Sequence, residues 1–329
     1  MHLHKKAFFN LLRLQAQKDT TLRVEPWQVE DYRELATQEL LHRLHLLGLE
    51  LSAENFLISA AGYDNPEELA HFLWTKEEHQ DPAYLLILEL WRRLVVEKQS
   101  LSIFCDELDH RITLYESDPI QHESSVENML MRLKEILEEN VDEGIEPKAA
   151  FASLTRYLAH NLETFLYEYI SDCIEAKEIV NATELLEDFY PFVQSTSWFD
   201  LLRASLLAPS ESHEANLVLK NILGKLKDHP DLDLLLEMAS FLVSHGDPHL
   251  FHQTVKQAFD LLSTEEDFQE LLLTVADYYS CLDMDKEESV VQAIFSKRKE
   301  KQPEASIERS DKDLHKFEAF LQETDWSKI

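Results

Sequence analysis

Leu234-Leu235-Leu236-Glu237-Met238-Ala239 is answered further along the chain by Leu271-Leu272-Leu273-Thr274-Val275-Ala276, and earlier by Leu201-Leu202-Arg203-Ala204. The three alanines, Ala204, Ala239 and Ala276, stand 35 and 37 residues apart. That interval is close to one helix–turn–helix unit. An amphipathic hairpin has one more apolar face than it can bury alone, so successive hairpins must stack. Residues 195–299 are therefore expected to be consecutive helical hairpins. The expected fold class is all-α: an irregular N-terminal helical bundle followed by an α-solenoid-like array of antiparallel helix pairs.

Composition agrees with helix throughout. Only 5 glycines and 10 prolines occur in 329 residues, too few glycines for the strand-to-helix turns of a nucleotide-binding α/β fold. A hydrophobic fraction of 44% is enough to bury a substantial core and excludes global disorder. Pro26, Pro66, Pro82, Pro147, Pro230 and Pro248 each precede an apolar-periodic run, where a missing N–H loses no hydrogen bond. Ser124-x-x-Glu127, Ser263-x-x-Glu266 and Asp285-x-x-Glu288 read as capping boxes. Gly48, Gly62, Gly144 and Gly246 mark stops.

These signals predict helices over 27–47, 53–61, 66–75, 82–98, 101–116, 125–141 and 147–160. Further helices are expected over 162–177, 179–190, 196–207, 212–227, 231–245, 248–262, 264–282, 286–300 and 311–325. The run Tyr84-Leu85-Leu86-Ile87-Leu88-Glu89-Leu90-Trp91 is apolar almost all round, yet too short and too interrupted by charge to span a bilayer. It reads as a central core helix. Polar residues 117–125 and 140–146 suggest a linker. The expected division is thus 1–117 as the bundle, 118–146 as linker and connecting helix, and 147–299 as the repeat domain. Residues 300–329 read as a flexible connection and a final amphipathic helix.

The net charge of −32 is unevenly placed. Residues 1–23 carry +4 and residues 24–295 carry −36. A body this acidic repels DNA, RNA and anionic lipid, and its natural partners are basic protein segments. The same charge also keeps a leucine-rich chain in solution without any partner. The first helix places Leu3, Ala7, Phe8, Leu11 and Leu14 at helical spacing among basic residues. Such a segment suits a membrane surface, a targeting or export signal, or docking on the acidic body. It lacks the long apolar core of a secretory signal. Cys105, Cys173 and Cys281 are odd in number and far apart, which points to buried structural thiols in a reducing cytoplasm.

Trp198-x-x-Leu201 is similar to the opening of a tetratricopeptide repeat, and Asp188-Phe189-Tyr190-Pro191 to a repeat's close. The pairs around Phe241 to Ala258 and Tyr278 to Ala293 resemble two further units, so the likeness covers residues 162–299. Leu202 stands where that family has a small residue, and the later units lack the tryptophan. The resemblance implies a helical-repeat superhelix, without the peptide-clamping carboxylate site known in some members.

Chemistry is sparsely signalled. No phosphate loop, dinucleotide fingerprint, nucleophile elbow or zinc-protease motif occurs. Cys105 and His110 lie five residues apart, poorly aligned for a catalytic pair on a helix. Leu282 to Glu288 alternates acids without the glycine that a calcium loop turns on. His245, His249 and His252 gather near one turn and raise the alternative of an all-helical metal-dependent protein or enzyme. Solvent histidines around a helix start at Asp247-Pro248 are the simpler account of them. The leading expectation is a cytoplasmic, non-enzymatic protein-interaction module, a scaffold, adaptor or chaperone, with no cofactor, no metal and no nucleic-acid partner. Its candidate partner-binding residues are Phe241, Phe251, Tyr278 and Tyr279.

Overall fold

Proline and short polar side chains start most of the helices: the side chains accept from open backbone N–H groups, and proline at the first helical position brings no N–H to satisfy. The computed structural model describes residues 3–73 and 79–323. In order, the helices are α1 (Lys5–Lys18), α2 (Pro26–Val29), α3 (Thr37–Leu47), α4 (Ala53–Ala60), α5 (Pro66–Leu73) and α6 (Gln80–Leu94). Next come α7 (Leu101–Ser117), α8 (Pro119–Asp142), α9 (Pro147–Leu154), α10 (Leu162–Glu175), α11 (Ile179–Phe189) and α12 (Thr196–Leu207). The last are α13 (Ser212–Asp228), α14 (Leu232–His245), α15 (Pro248–Leu261), α16 (Glu265–Cys281), α17 (Asp285–Arg298) and α18 (Lys312–Glu323). Among the described residues there is no strand beyond one isolated bridge, Thr264 to Ser306. The fold is all-α, as expected. The expected helix ends at 74–75 and 324–325 lie outside the described residues.

Several starts differ from expectation for local reasons. Residues 117–125 are not a linker: Asp118 caps α8 by accepting from the Gln121 N–H at 3.3 Å, and Pro119 takes the first helical position. An Asp-Pro pair of this kind is a stronger start than the serine six residues later, so Ser124 falls inside the helix. The box expected at Ser263 is formed one residue on, between Thr264 and Asp267. Residues 27–47 divide, because Asp31 accepts from the Arg33 N–H and opens a separate short turn before α3.

The chain forms two compact units, Met1–Leu166 with Pro191–Gln194, and Tyr167–Tyr190 with Ser195–Ile329. The first is organised round α6, whose residues from Ala83 to Trp91 are all buried. Glu89 is among them, and its carboxylate is met by Arg93 at 2.6 Å and by Arg92. The basic α1 docks on acids of the same unit. Lys5 pairs with Asp81 at 2.6 Å, Lys6 with Asp106 at 3.2 Å and Arg13 with Asp31 at 3.0 Å. Burial alone would raise the Asp106 carboxyl, but Lys6, Arg33 and the Asn10 amide hold it well below the usual carboxylate range. Asp109, one turn along α7, accepts from the backbone N–H groups of Ala159 and His160 and so fixes the turn before α10.

The second unit is an array of antiparallel helix pairs, α12 with α13, α14 with α15, and α16 with α17. Ala204, Ala239 and Ala276 each lie fully buried in the first helix of a pair. Small side chains there let neighbouring helix backbones come close. The segment 300–310, expected to be flexible, is instead fastened across the start of α16. Carbonyls of Ala305 and Pro303 accept from the Glu265 and Glu266 N–H groups at 2.9 and 3.0 Å, and the Ile307 N–H donates to the Ser263 carbonyl. These acceptors satisfy donors that a helix start leaves open. The strap then delivers α18, whose Phe317 is buried against Phe259 and Phe268.

Candidate protein-interaction face

The helices α14 and α16 bury most of their leucines and alanines, and each leaves one stripe facing water. On α14 the stripe is Asp233, Glu237, Ser240 and Ser244; on α16 it is Glu266, Glu270, Leu273 and Asp277. Both follow the i, i+4, i+7, i+11 spacing of a single helix face. The helices α14 and α16 pack on one another. Their carboxylates are therefore crowded: partial burial raises the Glu270 carboxyl, and Asp233, Glu237, Asp267 and Glu266 raise it further by like-charge repulsion. The face is an electronegative surface spread over two neighbouring helices.

Aromatic groups flank it. Phe241, one turn beyond Glu237, is partly buried and stacks on exposed His245, with ring centroids 5.2 Å apart and planes at 13°. Trp198 on α12 donates its indole N–H to Asp231 at 3.0 Å and meets Tyr167 edge-on at 5.1 Å. Burial and then the neighbouring Glu237, to which it is hydrogen-bonded, push the Tyr167 hydroxyl far above its ordinary range. Leu273, 41% exposed, adds an apolar point between Glu270 and Asp277.

Of the four residues expected to bind a partner, only Phe241 borders this face. Phe251, Tyr278 and Tyr279 are core residues, with 0%, 3% and 0% of their surface exposed. Phe251 and Tyr278 stack at 3.8 Å, and Tyr279 packs edge-on against Phe320 of α18. Their large apolar surface is spent inside the array, and burial followed by the nearby Asp247 pushes the Tyr278 hydroxyl up to about 12. The carboxylates of the stripe carry no motif, so the sequence did not single them out. Their signal is the acid-in-leucine pattern Asp233, Glu237 and Glu266, Glu270, read as an outward face.

The histidine cluster does not converge. His245 turns to Phe241, His249 is exposed, and His252 interacts with the backbone of Leu321. Among the described residues no group of three or more His, Cys, Asp or Glu side chains is placed to hold a metal ion. Cys105 is buried, and that burial, with Asp109 and Asp106 nearby, pushes its thiol well above the ordinary range, opposite to the shift a nucleophile needs. Cys173 is buried as expected, whereas Cys281 is exposed at the end of α16. No described helix is long and apolar enough to cross a membrane. Protein-family models, curated proteins and solved structures contain no match to this chain.

Proposed function

We propose that this chain is a non-enzymatic protein-interaction module, a cytoplasmic scaffold, adaptor or chaperone, that receives a basic segment of a partner protein on the α14–α16 face. The observation that carries the reading is the crowding of Glu270 with Asp233, Glu237, Asp267 and Glu266 on two packed helices. Like charges held together raise the energy of the free face, and a cationic partner relieves that repulsion on arrival. Lys or Arg side chains would meet the carboxylates, while Phe241 and Leu273 supply apolar contact. The resemblance of residues 162–299 to tetratricopeptide repeats supports the same reading, since such arrays present extended binding surfaces. Three free cysteines fit a reducing cytoplasm.

The test is fluorescence anisotropy with a labelled amphipathic peptide rich in lysine, beside its lysine-to-glutamine counterpart. The proposal expects the lysine peptide to bind and the glutamine peptide to bind far more weakly. Equal binding of both, or of neither, would overturn it.

A further inference from the structure

His4, the residue before α1, fastens the start of that helix to the first unit. Its backbone N–H donates to the Arg156 carbonyl at 2.7 Å, and its imidazole stacks on Tyr157 with ring centroids 4.4 Å apart and planes at 24°. Arg156 and Tyr157 are the ionisable residues of one short turn, Thr155–Tyr157. The His4 side chain makes no capping bond to α1. Charged groups reach it from three other elements. Glu67 of α5 stands 3.9 Å from Nε2, and the same carboxylate oxygen accepts the Tyr84 hydroxyl of α6 at 2.9 Å. Lys5 of α1 pairs with Asp81 of α6 at 2.6 Å and lies over the Tyr84 ring, 5.4 Å from its centroid.

An uncharged ring suits this seat and a charged one does not. The His4 Nδ1 is buried and, among the described residues, has no hydrogen-bond partner. In the neutral ring it can remain an unfilled acceptor, whereas protonation turns it into an N–H of a cation with nothing to accept it. Glu67 lies beyond hydrogen-bond reach of Nε2, and the adjacent Lys5 ammonium repels a second cation. Burial lowers the imidazole from its ordinary value of 6.5; Glu67 works against that and Lys5 adds to it. A histidine shifted this way stabilises the docked helix above about 6.5, and that contribution is lost as pH falls from there through the lowered folded value.

We propose that His4 is a proton-operated latch: uncharged, it holds the start of α1 against the turn Thr155–Tyr157, and mild acidification charges it and lets the first turn of α1 come away. The rest of α1 keeps its own anchors, since Lys6 pairs with Asp106, Arg13 pairs with Asp31, and Phe9 packs on Trp27 with centroids 5.5 Å apart. Release is therefore local. It parts Lys5 from Asp81 and bares a cationic helix end on a strongly acidic chain. The latch uses none of the α14–α16 carboxylates, so it and the proposed function stand or fall separately.

The test is hydrogen exchange of the Phe8 and Phe9 amides in the full chain at about pH 7.5 and about pH 5.5, with rates corrected for the intrinsic effect of pH. Amides of α16, in the other unit, serve as the internal reference. The expected result is that protection at Phe8 and Phe9 falls about threefold to tenfold relative to α16, tenfold being the ceiling one pH unit below 6.5. His4→Phe keeps a ring on Tyr157, His4→Gln keeps a polar group, and neither can take up a proton. Both variants should hold their relative protection across the same range, and unchanged circular dichroism checks that the fold is kept. A wild-type chain with no relative loss would overturn the proposal. So would the same loss in both variants as in the wild type.

Discussion

Arg298 and Glu265, 33 residues apart, form an ion pair in which the guanidinium is wholly buried and the carboxylate 3% exposed. The Arg298 Nε–H donates to Glu265 at 2.9 Å, a second nitrogen donates to the same carboxylate, and another donates to Asp311 at 2.8 Å. The pair joins the end of α17 to the start of α16 and holds the strap that leads to α18. Buried ion pairs add little net stability, yet removing one partner strands the other. Arg298→Met should therefore destabilise the chain by about 3–5 kcal/mol in urea unfolding. Arg298→Lys, which keeps a charge but loses the fork, should fall between that variant and the wild type.

Acid should loosen the same end of the molecule. Burial would raise the Asp311 carboxyl, but Arg298 and the N–H groups of Leu314 and Asp313 hold it at about 2. A carboxyl depressed in the folded state stabilises the fold above its unfolded value of about 4, and that contribution disappears as pH falls toward 2. Asp106, Glu107 and Asp267 are shifted in the same direction. Thermal unfolding followed from pH 5 to pH 2 should show a steep loss, reduced in Asp311→Asn.

Glu270 should behave in the opposite sense. Its carboxyl is raised, so the folded chain takes up that proton more readily than the unfolded chain, and the repulsion is relieved on mild acidification. Glu270→Gln should leave stability unchanged or slightly higher, within about 0.5 kcal/mol, as expected at an exposed site. The same substitution should weaken binding of a lysine-rich peptide. A variant that gains stability while losing affinity separates a binding role from a structural one.

Two small residues test the packing of the array. Ala239 is fully buried in α14, and Ala239→Leu should overpack that site by about 1–3 kcal/mol. Gly246 ends α14 with an extended backbone, and a Cβ there would sit 2.3 Å from Leu242 Cδ2 and 2.9 Å from the Leu242 carbonyl oxygen. Gly246→Ala should therefore lower the melting temperature even though its backbone angles suit alanine. Gly224, with nothing within 4 Å of an added Cβ, serves as the control and should gain from the same change.

The helices of the second unit were legible because proline starts and 3.6-residue periodicity are local signals, and Asp247-Pro248 and Gly246 act where they stand. The buried polar groups were not legible. Nothing local in the sequence marks Asp106 and Asp109 as buried, because their partners Asn10 and His160 lie 96 and 51 residues away. The strap 300–310 looked flexible for the same reason, since its ordering comes from N–H groups of α16 that the segment itself does not contain. Aromatic residues were read as contact points, yet Phe251, Tyr278 and Tyr279 are where a stacked array most needs volume. The carboxylate face is an arrangement of ordinary residues, visible only once α14 and α16 lie side by side.

The most direct measurement is the association rate of the full chain with a labelled lysine-rich amphipathic peptide, followed by stopped-flow fluorescence across a salt series. It would compare the wild type with a chain carrying Asp233→Asn, Glu237→Gln and Glu270→Gln together. If the face steers a basic partner, the wild-type rate should fall steeply as the screening length drops below about 10 Å, and the triple variant should associate more slowly with a flatter salt dependence. A wild-type rate indifferent to salt and equal to that of the triple variant would contradict the account and leave the acidity as solubilising surface.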